Sequence, residues 1–245
     1  MSDHRIAPWG HLAMAPLTLG HRVIERLRHG QIEKGVRLPI VMAALTAVVT
    51  ASACGTSAKG VDRLPFYDDA DFSPRWTESS AHHVADFALF TQTGASLTRA
   101  DLDGRIHIAN FMFTLCPTLC PPVMHNLKKV QDAVGGPNVV LVSFSVTPDV
   151  DTPVALAAFG KARGVDPEKW RLVTGDRRTI YRLARESYFA DDPRVETPAD
   201  AILHSEKVLL VDQQGRLRGV YNGTGASEMD KLIDDVHLLQ RSSAK

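Results

Sequence analysis

The sequence has little cysteine, no net charge and no long apolar run. Only 3 of its 245 residues are cysteine, which is too few for a scaffold held by several disulfide bonds. Lys and Arg total 28, as do Asp and Glu, so the chain lacks the basic surface that a nucleic-acid-binding protein needs. With 44% apolar and 23% charged residues, the composition excludes a disordered chain and fits a globular domain with an additional segment.

The longest uncharged stretch near the N-terminus is Leu38–Ala53, which follows Arg37 and precedes Cys54. It is shorter than the roughly 20 apolar residues that span a bilayer as a helix. A basic flank, a short apolar core and small residues before a cut are typical of a secretory signal. The cysteine resembles the lipidated residue of a bacterial lipobox, although Ala51 stands where Leu is usual. We therefore predict lipidation at Cys54, with an uncleaved signal anchor as the alternative.

The charge balance differs between the two ends of the chain. Six basic and three acidic residues lie in residues 1–54, which leaves 22 basic and 25 acidic residues in the remainder. We predict an N-terminal extension and lipoprotein signal at 1–54, a tether and irregular lead-in at 55–80, and one domain at 81–245. The domain is expected to be exported and anchored to the membrane, facing the periplasm or the cell exterior.

From residue 85 onward, short β-rich segments alternate with helical periodicity. Asn138–Val146 is almost continuously apolar, as expected for a central strand covered on both faces. The segments Lys207–Val211 and Arg216–Tyr221 flank a turn and indicate a hairpin. This order predicts a thioredoxin-like α/β fold, with a central mixed sheet flanked by helices. The other predicted elements are strands at Arg105–Phe113 and Trp170–Val173, and helices at Leu119–Val134, Thr152–Arg163, Asp176–Ser187 and Ser227–Leu239.

Two cysteines lie where a predicted strand ends and a helix begins, in FMFTLCPTLCPP (Phe111–Pro122). Their spacing places Cys116 and Cys120 on one side of the first helical turn, where unpaired N–H groups favour a thiolate. Pro121 and Pro122 suit a first turn, because no intrahelical N–H bond is needed there. The pair could form a redox disulfide or hold one soft metal ion. A structural disulfide and two inert core thiols are the alternatives.

Several motifs, in order along the chain, resemble the Sco/SenC copper-binding proteins, a family with the thioredoxin fold. The resemblance covers roughly residues 63–240 and is far more specific than two spaced cysteines alone. Its motifs are LPFYDDADFSPRW (Leu64–Trp76), FMFTLCPTLCP (Phe111–Pro121), SFSVTPDVDTP (Ser143–Pro153), Trp170 with LVTGD (Leu172–Asp176), and ILHSEKVLLVDQQGRLRGVYNGT (Ile202–Thr224).

The resemblance implies a copper site formed by Cys116, Cys120 and His204. In the family, the two motif cysteines and one distant histidine bind copper, and these three residues match them. Two thiolates are soft donors suited to Cu(I), and an imidazole also suits Cu(II), so one site could hold either state. His204 lies 84 residues beyond Cys120, so only the fold could bring it near. Without the resemblance it would be an ordinary surface or core histidine.

The chain also departs from the family pattern close to these residues. Many relatives have Asp where this chain has Thr118, and many have DPERDTP where Thr147–Pro153 reads TPDVDTP. The missing carboxylates put in doubt any proton-transfer or partner-docking role assigned to them. The three ligand positions are intact.

The resemblance implies a copper metallochaperone rather than an enzyme. It would receive copper from a donor protein and help assemble the copper site of cytochrome c oxidase or of another cuproprotein. The alternative is a thiol-disulfide oxidoreductase in which Cys116 attacks and Cys120 resolves the mixed disulfide, with no need for His204. A peroxidase is disfavoured because Thr114 lies two residues before Cys116, whereas the peroxiredoxin pattern has Thr three residues before the reactive cysteine.

Other candidate ligands have simpler structural interpretations. His82 and His83 are adjacent, so their side chains diverge, and we expect them in a surface loop. Met112 and Met124 flank the cysteine motif and could offer thioethers to copper, but methionine in a strand or helix usually packs in a core. His125 follows on the predicted helix and is expected to be exposed.

Overall fold

A computed structural model describes residues 63–78, 82–191, 202–203 and 205–242. All of these residues belong to the second of two units in the chain, Gly55–Lys245. The predicted lipidation site Cys54, the predicted signal and the predicted ligand His204 lie outside the described residues. Within the described part of the chain, no helix has the length and apolar character needed to cross a bilayer.

The described residues form one mixed sheet with helices on both faces, which confirms the predicted thioredoxin-like class. The strands run in the spatial order β2-β1-β5-β4-β3-β6-β7. Strands β3, β4 and β5 are parallel, and β1 and β6 pair antiparallel on either side of them. The strands are β1 (Ala88–Thr91), β2 (Ser96–Thr98), β3 (Ile106–Met112), β4 (Val139–Ser145), β5 (Trp170–Thr174), β6 (Lys207–Val211) and β7 (Leu217–Asn222).

The core consists of two hydrophobic clusters, each containing alternate residues of the central strands. One cluster receives the buried faces of α1 and α4, and the other receives α3 and the turn that follows it. Every residue of β3 and β4 is buried, as expected for strands covered on both faces. The helices are α1 (Cys120–Ala133), α2 (Pro153–Ala162), α3 (Arg177–Arg182) and α4 (Ala226–Ser242), and α3 continues into a π-helical turn at Leu183–Ser187.

The lead-in segment packs onto the domain rather than away from it. Leu64 and Phe66 are buried, and Phe66 forms an isolated β-bridge with Arg75. The guanidinium of Arg218 on β7 donates to the carbonyl oxygens of Leu64 at 2.6 Å and Pro65 at 3.0 Å. Residues 63–78 therefore contribute side chains to the folded core.

The sheet topology brings three separate parts of the chain to one edge. Because β3 and β4 are parallel and in register, Met112 lies beside Ser145 and both strands end at the same edge. Strand β6 is antiparallel to β3, so it begins where β3 ends. We call this the site edge: the loop 113–119, the loop 146–152 and the residues just before Lys207 all lie there.

Candidate metal centre

The cysteine motif forms the connection between β3 and α1 at the site edge. Strand β3 ends at Met112 and α1 begins at Cys120, with prolines at its next two positions. These prolines remove N–H groups that an α-helix leaves unpaired at its start. The chain turns directly after β3, because the N–H of Cys116 donates to the carbonyl of Phe113 at 3.3 Å. The strand-to-helix junction predicted from the sequence is confirmed.

The two cysteines lie next to each other and are not disulfide-bonded. The backbone N–H of Cys120 donates to Sγ of Cys116 at 3.4 Å, so the second cysteine's own backbone faces the first cysteine's sulfur. Cys116 is 6% exposed, and Cys120 is half-buried. Two sulfurs placed this way at the surface end of a helix are able to hold one soft metal ion between them.

The two thiols differ in acidity. Burial raises the pKa of Cys116, but hydrogen bonds from the backbone N–H groups of Cys120, Thr118 and Leu119 outweigh it and bring the pKa below the ordinary value. Burial raises the pKa of Cys120 to about 12, and the charges of Cys116 and Asp151 add to this. At neutral pH Cys116 is therefore the more ionised thiol, and Cys120 keeps its proton until a metal or base displaces it.

A buried carboxylate fixes the loop that carries Cys116. Asp151 has no exposed surface and accepts hydrogen bonds from the N–H and the hydroxyl of Thr114. It also accepts from the hydroxyls of Ser145, at the end of β4, and Thr147, at 3.0 Å. A buried carboxylate is tolerated only when its oxygens are satisfied in this way. Sequence reasoning missed this residue, although it lies within the motif SFSVTPDVDTP.

The residue before His204 packs on the same face of the sheet as Cys116. Leu203 is buried and belongs to the same hydrophobic cluster as Cys116. Its N–H donates to the Tyr181 hydroxyl at 3.4 Å, and that hydroxyl donates to the carbonyl of Val146 at 3.2 Å. Among the described residues, which omit His204, no third His, Cys, Asp or Glu completes a metal-sized group with the two cysteines.

The weaker candidates take structural positions. Met112 and Met124 are buried in the hydrophobic cluster beneath α1 and α4, which confirms the expectation that they belong to the core. His125 is exposed on α1, as predicted. His82 is half-buried, stacks on Phe189 with a ring separation of 4.5 Å, and places Nε2 2.8 Å from the carbonyl oxygen of Ser187.

One protein family matches the part of the chain that contains this pair of thiols. The model of the family described as SCO1/SenC matches residues 76–239, more than half of the chain. The chain belongs to the SCO1/SenC family. The resemblance drawn from the sequence motifs is confirmed.

Individual SCO1/SenC proteins support the assignment. The SCO1 protein homolog of Bacillus subtilis (strain 168) is 30% identical over 158 residues, which cover 63% of this chain and 81% of the relative. The structure of a SCO1/SenC family lipoprotein from Bacillus anthracis str. Ames is 31% identical with a TM-score of 0.58, and the match covers 65% of this chain and 95% of that one.

Two further solved structures of Sco proteins bear on function. BsSco is described as a member of the Sco family of cytochrome c oxidase assembly proteins with a disulfide switch. It is 28% identical with a TM-score of 0.58, covering 69% of this chain and 98% of that one. The structure of Arabidopsis thaliana ScoI has copper bound. It is 25% identical with a TM-score of 0.51, and the match covers 64% of this chain and 98% of that one. Copper is thus a metal that Sco proteins bind.

Proposed function

We propose that this chain is a copper metallochaperone that holds one copper ion through Cys116, Cys120 and His204. The observation that carries the proposal is the arrangement of the two thiols, with the N–H of Cys120 directed at Sγ of Cys116 at the start of α1. Thiolate sulfur is a soft donor that favours Cu(I), and an added imidazole makes Cu(II) acceptable as well. Copper here is the cargo, so the site must bind it and also release it.

The two thiols have different roles in binding and releasing copper. Cys116 is the more ionised sulfur, so it would bind the incoming ion first. Cys120 holds its proton more strongly, so its coordination releases a proton and its reprotonation helps to free the ion. Asp151 keeps the loop in place during this exchange, because it holds Thr114 from the neighbouring strand end. Because the two sulfurs bind and release copper one after the other, the ion can pass stepwise to a partner protein.

The position of Leu203 supports His204 as the third ligand. The backbone at Leu203 is bound to Tyr181, and Tyr181 is bound to the loop that follows β4. This chain of contacts keeps residues 202–203 at the site edge, where Cys116 lies. His204 is the next residue along the chain, and these contacts of its neighbour Leu203 support its choice as the third ligand.

We further propose that the domain works outside the cytoplasm, anchored through a lipid on Cys54. The domain has slightly more acidic than basic residues, which gives it no affinity for nucleic acid. Its partners are therefore proteins. One partner donates copper, and the other is the copper-site subunit of cytochrome c oxidase or another cuproprotein. The Bacillus anthracis relative is a lipoprotein, which supports the anchor, and BsSco belongs to a family of cytochrome c oxidase assembly proteins, which supports the oxidase partner.

A thiol-disulfide oxidoreductase is the second candidate, and the helix-start position of the thiol pair favours it. Its reaction would join Cys116 Sγ to a partner's sulfur, release the partner's other thiol, and then form the Cys116–Cys120 disulfide as the second thiol is freed. The burial of Cys116, which is 6% exposed, weighs against this reaction. A copper ion is small enough to reach such a sulfur, whereas a partner protein's disulfide must come within bonding distance of it.

The two functions separate in one titration series. The reduced full-length chain is titrated anaerobically with Cu(I) and with Cu(II), beside His204→Ala, Cys116→Ser and the matched control His125→Ala, which removes an exposed histidine of α1. We expect one copper per chain in the wild type and in His125→Ala, and weaker binding with a changed Cu(II) spectrum in His204→Ala. If His204→Ala binds both ions as the wild type does and keeps full disulfide reductase activity, the oxidoreductase is the correct function.

A further inference from the structure

A polar cleft lies at the end of the sheet opposite the cysteines. Its volume is about 380 Å³, and it opens between the β1–β2 hairpin and the starts of β3, β4 and β5. Strand β3 contributes seven residues between this end and the site edge, a length of about 20 Å at the usual rise per residue. The cleft is therefore separate from the copper site.

Arg105 lines this cleft, and one of its guanidinium nitrogens is buried without a hydrogen-bond partner among the described residues. Arg105 immediately precedes β3 and is half-buried, and its Nε is buried with no hydrogen-bond partner in the described structure. A buried charged donor without an acceptor is costly, because the group has lost its water and gained nothing. Because Nε has almost no accessible surface, an anion from outside the chain would offset the guanidinium charge without contacting Nε itself.

A second arginine faces the same cleft and increases the positive charge. Arg171 on β5 lines the cleft. Burial lowers the pKa of Arg105, and the charge of Arg171 lowers it further. Within the described ranges, neither guanidinium takes part in a salt bridge, whereas Arg99, Arg177 and Arg185 all do. Two half-buried guanidinium groups that line one cleft without an ion-pair partner in the described part of the chain attract an anion.

The remaining lining residues fit this interpretation. Among the hydroxyls of the β1–β2 hairpin that line the cleft, those of Thr91 and Thr93 bond to each other at 2.8 Å, whereas that of Ser96 is on an exposed residue. Two carboxylates also line the cleft, Asp101 and Glu168, and both residues are exposed. The Asp101 carboxylate already accepts hydrogen bonds from the N–H and hydroxyl of Thr98. Neither carboxylate is within ion-pairing distance of an arginine in the described structure, so neither takes the place of the anion.

We propose that this cleft is a binding site for a phosphate group, held by the guanidinium groups of Arg105 and Arg171 and by the hydroxyl of Ser96. Guanidinium groups match phosphate oxygens in pairs, and the hydroxyl supplies a donor from a further direction. The cleft has room for more than the phosphate itself. The group could belong to free phosphate or to the phosphodiester headgroup of a phospholipid, and the two sources share this chemistry.

The test measures the melting temperature of the full-length chain against increasing phosphate at constant ionic strength, with chloride as the reference salt. A ligand that binds only the folded state raises the melting temperature. We expect a saturable rise in the wild type and in the control Arg178→Gln, which removes an exposed arginine of α3. In Arg105→Gln and Arg171→Gln the half-saturating concentration should increase by at least about tenfold, since each removes a charged hydrogen-bonding group.

A third variant and a second ligand complete the experiment. Ser96→Ala changes one exposed hydroxyl on an edge strand, so it tests the site even if an arginine variant folds poorly, and we expect several-fold weaker binding. Glycerophosphoglycerol, a soluble headgroup phosphodiester, is titrated beside inorganic phosphate, and the tighter ligand identifies the source. Equal responses from wild type and both arginine variants, or an equal rise with acetate, would overturn the proposal.

Discussion

The Asp151 carboxylate holds Thr114, two residues before Cys116, through both the backbone N–H and the side-chain hydroxyl. The two residues are 37 positions apart in the sequence. Their contact joins the loop that follows β3 to the loop that follows β4. The position of the Cys116 sulfur therefore depends on a residue that carries no sulfur and binds no metal in our account.

Replacing Asp151 should destabilise the fold and loosen the cysteine loop. Asp151→Ala leaves the half-buried hydroxyl of Thr114 and the buried hydroxyl of Ser145 without their acceptor, and we expect the free energy of unfolding to fall by about 3 kcal/mol. The measurement is urea denaturation. The matched control is Asp149→Ala, because that carboxylate is 81% exposed and lies 3.6 Å from Arg177, and its loss should cost less than about 1 kcal/mol. Equal costs for the two variants would rule out the anchoring role.

The two thiols should react with an alkylating agent over different pH ranges. The pKa of Cys116 is lowered from 9.0, so its thiolate forms at lower pH than an ordinary cysteine's. The pKa of Cys120 is raised to about 12, so its thiolate forms only in strong alkali. We expect iodoacetamide to modify Cys120→Ser with a midpoint below pH 9.0 and Cys116→Ser with a midpoint above it. The reverse order would show that the helix start activates the other sulfur.

Stability should fall in acid partly because of one buried histidine. His107 on β3 is 2% exposed, and its Nε2 lies 3.0 Å from the Tyr188 hydroxyl. Burial lowers its pKa from 6.5 to about 3. Between these values the unfolded chain binds a proton that the folded chain does not, so stability is complete above pH 6.5 and is lost as the pH falls towards 3.

The acid dependence can be assigned by substitution. Protonation of this histidine in the unfolded chain lowers the free energy of unfolding by up to about 1.4 kcal/mol for each pH unit below 6.5. In His107→Gln, the slope of unfolding free energy against pH between 6 and 4.5 should be smaller by that amount, whereas the exposed His125→Gln should keep the wild-type slope. If His107→Gln keeps the full slope, other groups cause the acid sensitivity.

The lead-in should depend on the half-buried cation Arg218. Its guanidinium donates to Asp212 at 3.0 Å as well as to the Leu64 and Pro65 carbonyls. Arg218→Ala leaves a buried carboxylate with one fewer donor and frees residues 63–78, so we expect protease cleavage within them at a rate at least about tenfold higher. The exposed Arg178→Ala should cleave at the wild-type rate. An unchanged rate in Arg218→Ala would mean that the buried Leu64 and Phe66 side chains hold the lead-in alone.

Much of the fold could be predicted because its signals are local. The apolar segment at β4 and the cysteine-proline junction at the start of α1 each follow from short stretches of sequence. The β1–β2 hairpin was not identified as strands, because β2 has only three residues and one buried side chain. The predicted helix at Asp176–Ser187 ends early as an α-helix, since its last five residues widen into a π-helical turn before the buried Tyr188.

The interactions within the site were harder to predict, because they join distant residues. Spacing indicates that Cys116 and Cys120 share a helical turn, but it does not show which is more acidic. That difference depends on burial and on which N–H groups face each sulfur. Likewise, Asp151 could be recognised as part of a family motif, whereas its role depends on Thr114, Ser145 and Thr147 surrounding it. The place of His204 in the ligand set rests on the family resemblance and stays a prediction.

The most direct test of our central claim is the X-ray absorption spectrum of the copper-loaded, reduced full-length chain at the copper edge. We predict two sulfur ligands and one imidazole for each copper. Cys116→Ser and Cys120→Ser should each retain a single sulfur, and His204→Ala should lose the imidazole signal while His125→Ala keeps it. A wild-type spectrum with one sulfur, or an imidazole signal that persists in His204→Ala, would contradict a copper site formed by Cys116, Cys120 and His204.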